Sequence, residues 1–252
     1  MQDKVLEYWN QRAGLNDKAG SDDVLAKRLE VRAISNHIID GMQVAEFGCG
    51  NGETAIHIFK NKKIDLDCYD FSPLMIENAI LNTINHGLEN KIKFQVNDIR
   101  AELNLKHKYD LIYSERMIIN LPDWFTQAKA IKYITGNLKT GGRYLMCENS
   151  IQGLKNINVF RTMVGLEEIV PPWHNLYIND DLISNLKLNG VQLVGVEAFS
   201  STYYFLSRVV NAWLANRAGM KPSYDSPVNH LAMEIPPVGD FSQGKLWIFE
   251  KI

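Results

Sequence analysis

Between residues 24 and about 150, short apolar runs alternate with longer stretches whose apolar positions recur every three or four residues. The first pattern predicts buried strands, the second amphipathic helices. A helix over 24–39 closes at Asp40-Gly41, a strand follows over 42–47 (MQVAEF), and three glycines lead into a helix over 53–60. Strands are predicted over 64–69, 92–96 (IKFQV) and 109–113 (YDLIY). Ser72-Pro73 opens the helix between the first two of these, since Ser caps a helix and Pro suits its first turn. A helix over 124–138, a turn at Lys139-Thr140-Gly141-Gly142 and a strand over 143–147 (RYLMC) complete the series. This alternation predicts an α/β protein with a doubly wound parallel sheet and helices on both faces.

After residue 150 the alternation breaks. Residues 151–178 are mixed, and Pro171-Pro172 interrupts any helix there. A helix over 180–188, a strand over 191–198 (VQLVGVEA) and a last strand over 246–252 (LWIFEKI) follow, with an amphipathic stretch over 203–218 in between. The expected organisation is a helical segment over 1–23, a core over 24–150, and a remainder over 151–252 that carries insertions at 151–178 and 200–244.

Composition adds exclusions. The chain has 252 residues, 46% apolar and 22% charged, which is globular and argues against disorder. Its formal charge of −2 supplies no basic field, and there is no basic run to track phosphates, so a nucleic-acid partner is not expected. Cys49, Cys68 and Cys147 lie far apart without metal-ligand spacing, so neither a disulfide framework nor a metal is expected. No apolar run reaches about 18 residues, so no membrane span is expected. The opening MQDKVLEYWNQR lacks the apolar stretch of a secretion signal. A cytoplasmic location is the expectation.

The most informative segment is Val44-Ala45-Glu46-Phe47-Gly48-Cys49-Gly50-Asn51-Gly52, in which a strand feeds three alternate glycines and then a helix. Glycines let the backbone turn sharply and approach a ligand, and the helix N-terminus offers free N–H groups. Counted from Gly48 and Gly50, the third glycine of a dinucleotide fingerprint falls on Glu53, a poor neighbour for a pyrophosphate. No Lys-Ser/Thr pair follows, which excludes a P-loop. A nucleoside-type ligand without a diphosphate fits better. Asp70, at the end of the next strand, has the position of a carboxylate that takes both hydroxyls of a ribose. Asn97-Asp98-Ile99, just past the third strand, offers a carboxylate for an adenine amino group and an apolar cover for its ring.

Over residues 24–150 the chain resembles the class I S-adenosylmethionine-dependent methyltransferases. Glu46, Gly48, Gly50 and Gly52 match the family's acidic-led glycine loop, Asp70 its acidic second-strand end, and Phe71-Ser72-Pro73-Leu74-Met75 the usual sequel. Asp98 matches the adenine contact, and Ser114-Glu115-Arg116 the start of the loop after the fourth strand. The resemblance implies a Rossmann-like seven-stranded sheet with an antiparallel last strand, and S-adenosylmethionine as cofactor. It places Glu46, Gly48, Gly50, Gly52, Asp70, Phe71, Ser72, Met75, Asn97, Asp98, Ile99 and Ser114 around that cofactor, with Tyr8 or Arg12 from an N-terminal lid on its carboxylate. The segments SERMIINLPDW, CENSIQGL, PWHNLYI, FSSTYYFLSRVVN and YDSPVNHLA further resemble methyltransferases of bacterial capsule and O-antigen polysaccharide synthesis. That implies a small-molecule acceptor, a nucleotide-linked sugar methylated on oxygen, with transfer to a sugar amine or a phosphate-type oxygen, or a non-catalytic donor-binding partner subunit, as the alternatives.

An alcohol acceptor calls for a base, and His is the commonest near neutral pH. His174, in Pro171-Pro172-Trp173-His174-Asn175, is the candidate, with a plain loop-packing role as the alternative. Glu115 and Arg116 follow the fourth strand and are candidates for the acceptor side, or for pairing around the sheet edge. Glu148-Asn149 occupies the corresponding place after the fifth strand. Tyr203, Tyr204 and Arg208 read as one face of a covering helix, with a phosphate as the alternative role for Arg208, and the apolar face over 203–218 either closes the cap or buries a homodimer contact.

Overall fold

The computed structural model describes residues 2–101, 105 and 107–252. Its centre is one seven-stranded sheet. The strands are β1 (Gln43–Phe47), β2 (Asp65–Asp70), β3 (Lys93–Val96), β4 (Tyr109–Glu115), β5 (Leu138–Asn149), β6 (Val191–Glu197) and β7 (Gly244–Lys251), in the order β3-β2-β1-β4-β5-β7-β6. β7 runs antiparallel to both neighbours, and the pairs among β1 to β5 are parallel. The helices are α1 (Gln2–Arg12), α2 (Val24–Ser35), α3 (Glu53–Asn61), α4 (Pro73–Asn85), α5 (Trp124–Gly136), α6 (Ile151–Met163), α7 (Asp180–Ser184), α8 (Ser201–Phe205), α9 (Ala212–Arg217) and α10 (Pro227–Glu234).

Side chains on successive strand residues point to opposite faces, and here they build two cores. Val44, Leu111, Tyr113, Leu145, Leu246 and Ile248 meet α2, α3 and Ile76 of α4 on one side. Ala45, Phe47, Ile112, Tyr144, Met146, Trp247 and Phe249 meet α5, Leu154 of α6 and Ile183 of α7 on the other. These near-continuous apolar strands, covered on both faces, are what the short apolar runs encode. Asp23, Ser72, Asp123 and Ser150 cap α2, α4, α5 and α6 with their side chains, so four helix starts have a local cause.

Three elements differ from the sequence expectation. Residues 139–142 are a bulge inside one long β5 and not a turn ahead of it. Leu138 pairs with Tyr109 and Arg143 with Leu111, so the two glycines loop out between paired residues. The mixed stretch after 150 begins with the 13-residue α6, which Ser150 starts by accepting from the Gly153 N–H. α7 ends at Ser184, four residues early, because Leu186 and Leu188 turn inward onto the core.

The 201–217 stretch is one helical rod whose middle, Leu206–Asn211, is π-helical. With α10 it packs on the outside of α2, where Tyr203, Tyr204, Val209 and Ala232 bury Leu25, Ala26 and Leu29. The Tyr203 hydroxyl donates to Asp23 at 2.6 Å. Arg208 sits between the Tyr204 and Tyr224 rings and pairs with the same Asp23 at 2.7 Å. The face expected to cover something therefore covers α2. No helix among the described residues is long and apolar enough to cross a membrane.

Candidate functional site

A cavity of about 330 Å³ opens at the carboxyl ends of β1, β2 and β4, the edge where doubly wound sheets place ligands. Its size falls within the few hundred Å³ usual for small-molecule sites. The glycine loop forms its floor. Gly48 has φ +79°, and a Cβ there would lie 2.5 Å from the Met117 side chain, so only glycine fits. The Gly48 and Cys49 N–H groups both donate to the Tyr69 carbonyl, which locks the loop to β2.

Asp70 is buried, and its two carboxylate oxygens accept from the N–H groups of Gly50 (2.8 Å) and Ser72 (2.9 Å). Burial pushes its carboxyl up to about 6 against the pull of those N–H groups. It remains mostly ionised at neutral pH, with lone pairs free for hydroxyls. Glu46 is also buried in the wall; desolvation and the nearby Glu115 push it up to about 8, while the Tyr113 hydroxyl donates to it at 3.0 Å. At the other end, Asn97, Asp98 and Ile99 line the cavity. The Asp98 carboxylate is clasped by Arg100, whose Nε lies 2.7 and 2.9 Å from its oxygens. The neighbouring Asn97 Oδ1 is buried without a partner.

Glu115 and Arg116 belong to a buried charge cluster. Lys27 of α2 reaches Glu115 at 2.8 Å, Thr54 donates to the same carboxylate at 2.8 Å, and Arg116 lies 3.1 Å from Glu30. Although burial alone would raise it, Lys27 and Arg116 hold Glu115 down to about 2, whereas burial pushes Glu30 up to about 8. Arg116 adopts φ +50°, uncommon for a side-chain-bearing residue. Its conformation is over-determined by Glu30 and by its N–H bond to the Cys147 carbonyl. Glu148 accepts from the N–H groups of Met117, Ile118 and Ile119, so it fixes the loop after β4 and lies outside the cavity wall.

The opposite wall comes from α1 and residues 173–176. Trp9 donates to Asn120 at 3.3 Å, and Asn120 donates to the Arg116 carbonyl. His174 lies against Tyr8, with ring centroids 4.2 Å apart, and takes edge contacts from Trp9 and Trp173. Burial and the Arg12 charge lower its pKa, so the ring is neutral at pH 7. Its Nδ1 has no partner.

The fold thus brings Glu46, Gly48, Gly50, Asp70, Phe71, Met75, Asn97, Asp98, Ile99, Glu115, Arg116 and His174 to one cavity. Tyr8, Arg12, Gly52, Ser72 and Ser114 stand behind its wall. Tyr8 backs His174, and Arg12 donates to the Ala19 carbonyl at 2.7 Å. Gly52 caps α3 in the left-handed region, and Ser72 caps α4 while donating to Asn10. Ser114 bonds Tyr144 at 2.7 Å. Sequence reasoning missed Lys27, Thr54 and Asn120.

Residues 38–177 match the family model described as a methyltransferase domain. The chain belongs to that family. No curated protein matches this methyltransferase in sequence. Among solved structures, the CcbJ methyltransferase from Streptomyces caelestis superposes with a TM-score of 0.65 at 12% identity, over 97% of this chain and 97% of that one. The N-methyltransferase NodS from Bradyrhizobium japonicum WM9, in complex with S-adenosyl-L-homocysteine, gives 0.60 at 13% identity over 98% of each. The magnesium protoporphyrin IX methyltransferase ChlM from Synechocystis PCC 6803, with bound S-adenosylmethionine, gives 0.56 at 12% over 91% and 82%. At such identities the likeness is one of fold. The enzyme is an S-adenosylmethionine-dependent methyltransferase.

The cavity fits that cofactor. Two oxygens of one buried carboxylate suit a ribose, and an orphaned acceptor at Asn97 suits an amino-bearing base. Open space at Gly50, where a Cβ would meet only the Met75 sulfur at 3.9 Å, lets the ligand lie on the backbone.

Proposed function

We propose that this methyltransferase moves a methyl group to an oxygen of a sugar, nucleotide-linked and built into bacterial surface polysaccharide in the cytoplasm. When bound, the cofactor supplies the methyl as part of a sulfonium, a good leaving group. The chain's own residues bind, orient and keep water out. Asp70 takes the ribose hydroxyls, Asn97 and Asp98 line the base's end and Ile99 covers it, while Tyr8 and Arg12 stand behind the wall. Gly48 and Gly50 let the ligand lie on the loop, while α1 closes over it as a lid. Glu115 and Arg116 keep the region after β4 in shape.

The observation that carries the hydroxyl is His174, a neutral ring in the wall of the same cavity. A neutral imidazole accepts the proton that an alcohol sheds as its new bond forms. The sugar rests on the resemblance of the segments after β4 and β5 to polysaccharide-locus methyltransferases. A second reading is transfer to a sugar amine. It is favoured by the lack of any carboxylate paired with His174 among the described residues, since an amine needs less help from a base.

Labelled methyl transfer to a panel of nucleotide-linked sugars, read by mass spectrometry, tests the proposal. The expected result is a mass gain on one sugar, cut about 10²-fold by His174→Ala with donor affinity unchanged. Full turnover in that variant sinks the base and leaves the amine. Equal loss of turnover and donor affinity makes His174 a packing residue.

A further inference from the structure

The rim of the cavity beside His174 is apolar, and one of its members is held out toward solvent. Trp173 lines the cavity yet stays 62% exposed. Leu176 beside it is 41% exposed, and Leu121, Pro122 and Trp9 continue the same rim. Large apolar side chains grouped at a cavity mouth mark a binding surface.

The exposure is built in. Pro171-Pro172 stiffens the approach, the Asn175 N–H closes a turn onto the Pro172 carbonyl at 2.9 Å, and the Leu176 N–H donates to the Ile119 carbonyl at 2.7 Å. Gln127 Nε2 donates to the Leu176 carbonyl at 2.8 Å. Tyr8 and His174 meet the indole edge-on, at 82° and 78°, which holds Trp173 upright. Charge is not what this rim offers. The cations in the wall, Lys27, Arg100 and Arg116, each stand against a carboxylate.

We infer that Trp173 and Leu176 form the acceptor's specificity subsite, taking an apolar or aromatic group that flanks the methylated atom. This deepens the sugar reading above: the acceptor is a glycoside or substituted sugar with an apolar flank, and any phosphate it carries stays outside the cavity. The indole centroid lies 5.4 Å from the His174 ring, so the group it receives is immediate to the reacting atom and not a distant tail.

The test is binding of paired probes, 4-nitrophenyl and methyl glycosides of the same sugars, to the full chain saturated with S-adenosylhomocysteine, read by calorimetry. The aryl member is expected to bind about tenfold tighter, the worth of about 1.4 kcal/mol. Trp173→Ala should abolish that ratio and Trp173→Phe should restore most of it, with S-adenosylhomocysteine affinity unchanged in both. Equal binding of the two probes, including no measurable binding of either, overturns the inference, as does a ratio that survives Trp173→Ala. Because binding is read without turnover, an aryl preference in a protein that methylates no hydroxyl keeps this subsite and removes only the oxygen chemistry. Methylation of sugars without an aryl preference does the reverse.

Discussion

The two ends of the cavity are made from different materials. The cofactor end is backbone and buried charge: a glycine loop, Asp70 held by two N–H groups, and the Lys27–Glu115–Arg116–Glu30 cluster. The end proposed for the acceptor is aromatic and partly open, with Trp9 and Trp173 meeting Tyr8 and His174 edge-on and the Tyr8 and His174 rings tilted against each other. A shared cofactor can be met by main-chain atoms at strand ends, whose positions the fold itself sets. An acceptor that differs from enzyme to enzyme has to be met by side chains on loops that the fold leaves free to vary. The first end resists change through the electrostatic cost of breaking it, the second through shape.

The largest effect should come from breaking the buried cluster. Glu115→Ala leaves Lys27 without its carboxylate at 2.8 Å and Thr54 without an acceptor. Removing one member of a buried pair costs about 3–5 kcal/mol. For a chain of this size that lowers Tm by roughly 10 °C, measurable by calorimetry, with Glu115→Gln losing less. A drop under about 2 °C would mean that the cluster is not one unit and that the contrast between the two ends is overstated. Next is Asp70→Ala, which removes charge-assisted hydrogen bonds worth roughly 1.5–3 kcal/mol each. Donor affinity should fall about 100-fold; an unchanged calorimetric Kd would remove Asp70 from the ribose.

How much was legible follows the same division. The strands were readable because Val44, Leu111, Leu145 and Leu246 recur within short apolar runs, and the glycine spacing marks where the first strand must turn. Asp70, the last residue of β2, and Asn97, just past β3, could be marked as cavity-lining because strand ends open onto the ligand edge of such a sheet. Lys27 could not be, since a lysine on an amphipathic helix looks like any solvated cation until α2 is docked beside β4. The aromatic wall was not readable either. Tyr8, Asn120 and His174 lie more than fifty residues apart from one another, and no local periodicity encodes their meeting. Asp98 shows a different limit: its position matches the family, yet Arg100, two residues on, occupies its carboxylate.

The smallest effect, and the sharpest on the comparison, is in pH. Burial pushes Asp70 up to about 6, so in the free enzyme it takes a proton as pH falls through that value. Ribose hydroxyls donate to the ionised form, and donor binding below pH 6 must therefore expel a proton. From pH 7 down, donor affinity should halve by about pH 6, fall about tenfold by pH 5 and tend to tenfold per further unit. Asp70→Asn should flatten the profile, because nothing titrates there. His174 also changes charge on the acid side, but its lowered pKa acts on the acceptor end, so His174→Ala should leave the donor profile unchanged while altering only turnover. If removing His174 instead shifts the donor's pH profile, the two ends are electrostatically one site, and the aromatic wall answers to the cofactor as much as to the acceptor.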